Sequence, residues 1–146
     1  MTSGDTALIS RARALVERTD PMTIGIWPRA TAFLTRQALE AALDKLWRRC
    51  APGLEVCSAR AQLICLPAYL QREKELAERV SFAWFGLSRA CHQHAYELSP
   101  TSPELLGWIA TVEELILRVE TLQAKKGPGD DVLGLMVGKR RPTPAD

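Results

Sequence analysis

Residues 28–50, Pro28-Arg29-Ala30-Thr31-Ala32-Phe33-Leu34-Thr35-Arg36-Gln37-Ala38-Leu39-Glu40-Ala41-Ala42-Leu43-Asp44-Lys45-Leu46-Trp47-Arg48-Arg49-Cys50, decide the fold. Ala32, Leu39, Leu43, Leu46 and Cys50 recur at spacings of three, four and seven, the period of one helical face. A second face carries Ala30, Leu34, Ala38 and Ala41, small enough for another helix to approach closely. Polar groups are confined to the edge Gln37–Glu40–Asp44–Arg48. Pro28 suits the first turn, where its missing N–H leaves no bond unmade. A helix apolar on two sides belongs at the centre of a bundle.

The flanking segments repeat the helical period. Leu8, Ala12, Leu15 and Val16 mark a helix over residues 6–17, which Asp20-Pro21 ends because the residue before proline is pushed out of the helical region. Residues 22–27 read as a connector. Ala51-Pro52-Gly53 breaks the central helix, and Ser58 is an N-cap for a short helix ending near Leu66-Pro67. Leu76, Val80, Ala83, Trp84, Leu87 and Cys91 form the stripe of a long helix over residues 72–91. Thr101 and Glu104 make a capping box for a last helix carrying Leu105, Ile109, Val112, Ile116, Val119 and Leu122. The four tryptophans read as core or interface packing. Gly127-Pro128-Gly129 closes the domain, residues 1–126. Residues 127–146 are expected as a flexible C-terminal tail with an apolar stretch, residues 132–137, and a basic run, Lys139-Arg140-Arg141. The expectation is all-α: an antiparallel bundle of four long helices and one short helix.

Composition sets the class. The chain has 146 residues, 47% hydrophobic and 25% charged, which suits one soluble domain. Its net charge of +2 is too small to announce a nucleic-acid binder by itself. No apolar run approaches the ~18 residues of a membrane span; the chain reads as cytoplasmic, without a membrane partner. Cys50, Cys57, Cys65 and Cys91 form no Cys-x-x-Cys clip and read as reduced, mostly buried thiols. Cys91, His92 and His94 crowd into four residues without the two-pair spacing of zinc sites. Neither metal nor cofactor is expected.

The chemistry concentrates in Leu87-Ser88-Arg89-Ala90-Cys91-His92-Gln93-His94-Ala95-Tyr96, which holds both histidines. On a helical wheel Arg89 stands about 200° from Leu87, away from the core. Phe82 and Phe85 precede it on the same outward face and His92 follows. Exposed phenylalanines call for a cover, so this face is the candidate subunit interface. His94 is turned about 140° from Arg89 in a continuous helix. The two converge only where the helix ends between them, or where facing subunits each supply half. Otherwise His94 is a core histidine and Arg89 a surface cation. Arg36 lies among Leu39, Leu43 and Trp47 with Glu40 at i+4, so it is either an intrahelical ion pair or a site residue.

Arg89, His94 and Tyr96 spell Arg-x4-His-x-Tyr at the end of the penultimate helix of a helical chain. This resembles the HEPN family (higher eukaryotes and prokaryotes nucleotide-binding domain), whose ribonuclease members carry Arg-x4-6-His there. The tyrosine is similar to that of the toxin branch paired with minimal nucleotidyltransferase antitoxins. Residues 32–43 also resemble the family's long second helix, and the likeness spans residues 6–123. Where the family usually has Asn, Asp or His directly after the arginine, this chain has Ala90. The resemblance implies a metal-independent endoribonuclease working as a homodimer on RNA, in a toxin–antitoxin or defence system.

Arg89 and His94 are then the catalytic pair, with Tyr96, His92 and Arg36 as binding residues. Histidine offers a base near neutral pH for the 2′-hydroxyl. Arginine offers a fixed fork of donors for the phosphate charge. Tyr96 is read as orienting phosphate or His94, or as an interface aromatic; the resemblance to the toxin branch implies that it can instead be the hydroxyl that the antitoxin adenylylates. Two other readings stand beside this one: a catalytically inactive HEPN-like module binding nucleotide or protein, and a plain helical scaffold.

Overall fold

The computed structural model describes residues 4–18, 21–70, 72–92 and 97–122. Among them the chain is all-helical: α1 (Gly4–Glu17), α2 (Trp27–Cys50), α3 (Ala59–Tyr69), α4 (Lys74–Cys91) and α5 (Ser102–Leu122), with one-turn 3₁₀ segments at Pro21–Thr23 and Leu54–Val56. His94, Tyr96 and the tail, residues 127–146, lie outside the described residues.

Cross-helix contacts fix the directions. Gly86 against Trp108, Arg79 Nη1 against Glu114 Oε2 at 2.7 Å, and Arg118 Nε against Glu73 Oε2 at 3.3 Å make α4 and α5 antiparallel. Arg29 reaching Cys91 and Arg36 reaching Trp84 make α2 and α4 antiparallel. The Asp5 carboxylate, 2% exposed, accepts two bonds from Lys45 Nζ at 2.8 and 2.7 Å, so α1 runs back along α2. Arg13 grips Glu113 with a two-pronged contact, 2.9 and 2.7 Å, joining α1 to α5. α2 packs on α1, α4 and α5 alike. It is the central helix its two apolar faces require.

The expected core stripes are buried, from Ala32, Leu39, Leu43 and Leu46 through Leu76, Val80 and Leu87 to Leu105, Ile109, Val112 and Val119. Cys50, Cys91 and Leu122, at helix ends, are half-buried. Trp47 is fully buried, stacks edge-on with Tyr69 at 5.2 Å, and donates its indole N–H to Gln62 Oε1 at 2.9 Å.

Local signals held to within a residue or two at most ends. The capping box forms reciprocally: Thr101 N–H donates to Glu104 Oε2 (2.8 Å) and Glu104 N–H to Thr101 Oγ (3.4 Å). Ser58 caps α3 through Ala61 N–H at 3.3 Å. Gly53, at φ 103°, takes the left-handed turn that lets the chain leave α2. Two expectations are corrected. Helix α3 continues through Pro67 to Tyr69, because a proline in the last turn forfeits only one intrahelical bond. The cysteines are less buried than expected: all four are free, but Cys57 is exposed and the other three half-buried.

Candidate functional site

α4 ends at Cys91, with His92 as its C-cap. The His92 N–H is shared between the carbonyls of Ser88 (3.1 Å) and Arg89 (3.2 Å), tightening the last turn. The helix therefore stops between Arg89 and His94, the condition under which that pair is not held on opposite faces of one helix. His94 and Tyr96 themselves fall outside the described residues.

The N-terminal half of α2 runs antiparallel beside this end and brings its polar edge to it. The Arg36 guanidinium is held from three sides. Its Nε lies 3.1 Å from Glu40 Oε1, its carbon sits 4.7 Å over the Trp84 ring, and its Nη1 stands 3.4 Å from His92 Nε2. A guanidinium only donates, so the contact is a hydrogen bond in the tautomer that carries the ring proton on Nδ1. Arg36 thus makes the intrahelical pair with Glu40 and also reaches His92, the C-cap of α4.

Arg29, seven residues earlier on the same face of α2, donates from Nη2 to the Cys91 carbonyl at 3.3 Å. There it satisfies an end carbonyl of α4 and places a cation at the negative end of the helix dipole. Arg29, Phe33, Arg36, Cys91 and His92 line a groove of about 740 Å³, within the size range of small-ligand sites. Phe33 is 52% exposed along it. Burial pushes the Cys91 thiol up, and the guanidiniums of Arg36 and Arg29 only partly oppose this. It is a protonated wall residue at neutral pH, not a nucleophile.

Arg89 is exposed and stands outside the groove lining. It occupies the outward face expected of it, with Phe82 73% and Phe85 58% exposed. His92, exposed and one turn beyond Arg89, borders both the groove and this face. Ala90 is 6% exposed. Position 90 therefore points into the core, and the polar group the HEPN pattern carries after its arginine has no counterpart there. Among the described residues, no group of three His, Cys, Asp or Glu side chains is arranged to hold a metal ion, and no helix is long and apolar enough to cross a membrane.

Two contributors were not singled out from sequence. Arg29 was visible in the series Arg29–Phe33–Arg36–Glu40, one stripe of α2 at spacings of four, three and four. The role of Trp84 as the platform under Arg36 was not, because it depends on how α2 and α4 cross. Compared with known proteins, the chain matches no family model, no curated protein and no solved structure.

Proposed function

We propose that this protein is a metal-independent endoribonuclease of the HEPN type, a homodimer acting in a toxin–antitoxin or defence system. The observation that carries the reading is the end of α4 at Cys91, between the arginine and the histidine of Arg-x4-His. In the mechanism His94 takes the proton of a ribose 2′-hydroxyl. The 2′-oxygen attacks the adjacent phosphorus and the 5′-oxygen departs, taking a proton from water to become a hydroxyl, while the His94 imidazolium returns its proton to solvent. Arg89 binds the phosphate through paired donors as its charge grows. Arg29, Arg36 and His92 hold the neighbouring backbone of a single strand, and the exposed ring of Phe33 offers a stacking surface to a base. Across a two-fold axis the Phe82–Phe85–Arg89 faces meet, bringing two copies of the motif together. Tyr96, two residues beyond His94, is the hydroxyl a nucleotidyltransferase antitoxin would adenylylate; an added nucleotide there would place anionic charge beside Arg89 and repel RNA.

The test is product chemistry. Purified protein on mixed RNA is expected to leave 2′,3′-cyclic phosphate and 5′-hydroxyl ends at a rate unchanged by chelators. Products ending in 3′-hydroxyl, or loss of activity with a chelator, would rule the mechanism out. The buried Ala90 favours a second reading, a HEPN-like module that binds nucleotide or protein without cleaving. That module would retain RNA or nucleotide binding, measured by fluorescence anisotropy, with no cleavage under any condition.

A further inference from the structure

A second groove, about 620 Å³, opens on the other side of the polar edge of α2. Its apolar lining includes Leu8, Ala41 and Trp84, and its acidic lining is Glu40, Asp44 and Glu55. The pairing of these acids is incomplete. Glu40 and Asp44 each meet one arginine of their own helix and remain 49% and 42% exposed. The apolar-and-acidic lining calls for an apolar segment followed by cations.

The chain carries such a segment beyond α5: Val132-Leu133-Gly134-Leu135-Met136-Val137, then Gly138 and Lys139-Arg140-Arg141. We propose that residues 132–137 of the same chain seat in this groove, with residues 139–141 against Glu40, Asp44 and Glu55. Reach permits it. Arg118, about one turn before α5 ends at Leu122, meets Glu73, which follows the end of α3 at Tyr69. From there α3, 11 residues long and about 16 Å, leads back to Ala59 in the groove wall. Residues 123–131 span up to about 30 Å when extended. The basic run also discriminates between grooves: Glu40 borders both, but the one at His92 adds Arg29 and Arg36, whereas this one adds Asp44 and Glu55 and no cation. In an extended hexapeptide Leu133, Leu135 and Val137 share one face and Met136 the other, so position 136 accepts a probe without touching the docked side chains.

The experiment uses the full chain with Met136→Cys and a short bismaleimide, mapped by peptide mass spectrometry. Cys57, exposed and two residues from Glu55, is the native reporter at the groove. The expected result is a dominant link from position 136 to Cys57 within one chain, at a yield independent of protein concentration. It should be lost in Asp44→Lys/Glu55→Lys and in Leu133→Asp/Leu135→Asp. It should return when Asp44→Lys/Glu55→Lys is combined with Lys139→Glu/Arg140→Glu. Links spread evenly over the four native cysteines, or a yield indifferent to charge reversal, would overturn the proposal. So would a link that forms only between two chains, which would assign the groove to the tail of a second copy.

Discussion

At the scale of single residues, Arg36 does work that no lysine can repeat. One planar guanidinium simultaneously pairs with Glu40, covers the Trp84 face and meets His92 Nε2. A lysine ammonium at that position keeps the charge and loses the plane. The pair with Glu40 is half-exposed and the cation–π contact partly so, each contributing under about 1 kcal/mol. Arg36→Lys is therefore expected to change unfolding free energy by less than about 1 kcal/mol. RNA cleavage should fall about tenfold or more, the effect of one charged hydrogen bond lost from the histidine and phosphate. Parallel denaturant melts and cleavage rates check this; equal, large losses in both would make Arg36 a structural residue only. The motif residues were legible as types and spacings, and so was the Arg36–Glu40 pair. Arg29 shares the stripe of Arg36 without having been singled out, and the Trp84 platform was not legible, since it depends on how α2 crosses α4.

At the scale of elements, helix ends were legible wherever a side chain or proline sets them chemically. The Thr101–Glu104 box and the Ser58 cap are local, and local chemistry is written in adjacent residues. The tie between Asp5 and Lys45 is not, because it joins positions forty apart. Gly86 is another contact of that kind. A methyl added at Gly86 would overlap the indole of Trp108, so α4 and α5 approach closely only with glycine there. Gly86→Ala gains about 1 kcal/mol of helix propensity and suffers overpacking of about 1–3 kcal/mol. The net expectation is a loss of about 1 kcal/mol in denaturant unfolding; a stabilised variant would mean the helices separate freely.

The caps also set the acid response. The Thr101 N–H, and secondarily its hydroxyl, hold the Glu104 carboxyl below its ordinary range, and Arg79 does the same for Glu114. A folded pKa below the unfolded one means the stabilisation is complete above about 4.3 and is lost as pH falls through the lower, folded value. Thermal midpoints should be flat from neutral pH to about 5 and fall below that. Glu104→Gln should flatten the acid limb, and an unchanged limb would remove Glu104 as a contributor.

At the scale of the whole molecule, the bundle buries its apolar stripes and leaves Phe82 and Phe85 outside. The helical class followed from periodicity, because the apolar residues of each long segment between the breaks repeat at three to four residues. What periodicity cannot supply is the partner of an outward face. The proposed two-fold interface would bury both phenylalanines and pair the Arg89 faces. Phe85→Glu would put a carboxylate into that interface and should convert a dimer into a folded monomer by sedimentation, with cleavage lost. A wild type already monomeric at micromolar concentration would contradict the paired site.

In the proposed function, cleavage rests on His94, which follows the end of α4 at Cys91. The rate at which the purified His94→Ala variant cuts single-stranded RNA, beside wild type and in the presence of chelator, bears on it most directly. A general base typically supplies about 10²–10⁴-fold in rate, so the expected result is a loss of that size with the fold and RNA binding retained. Wild-type cleavage surviving in His94→Ala would contradict the proposed chemistry.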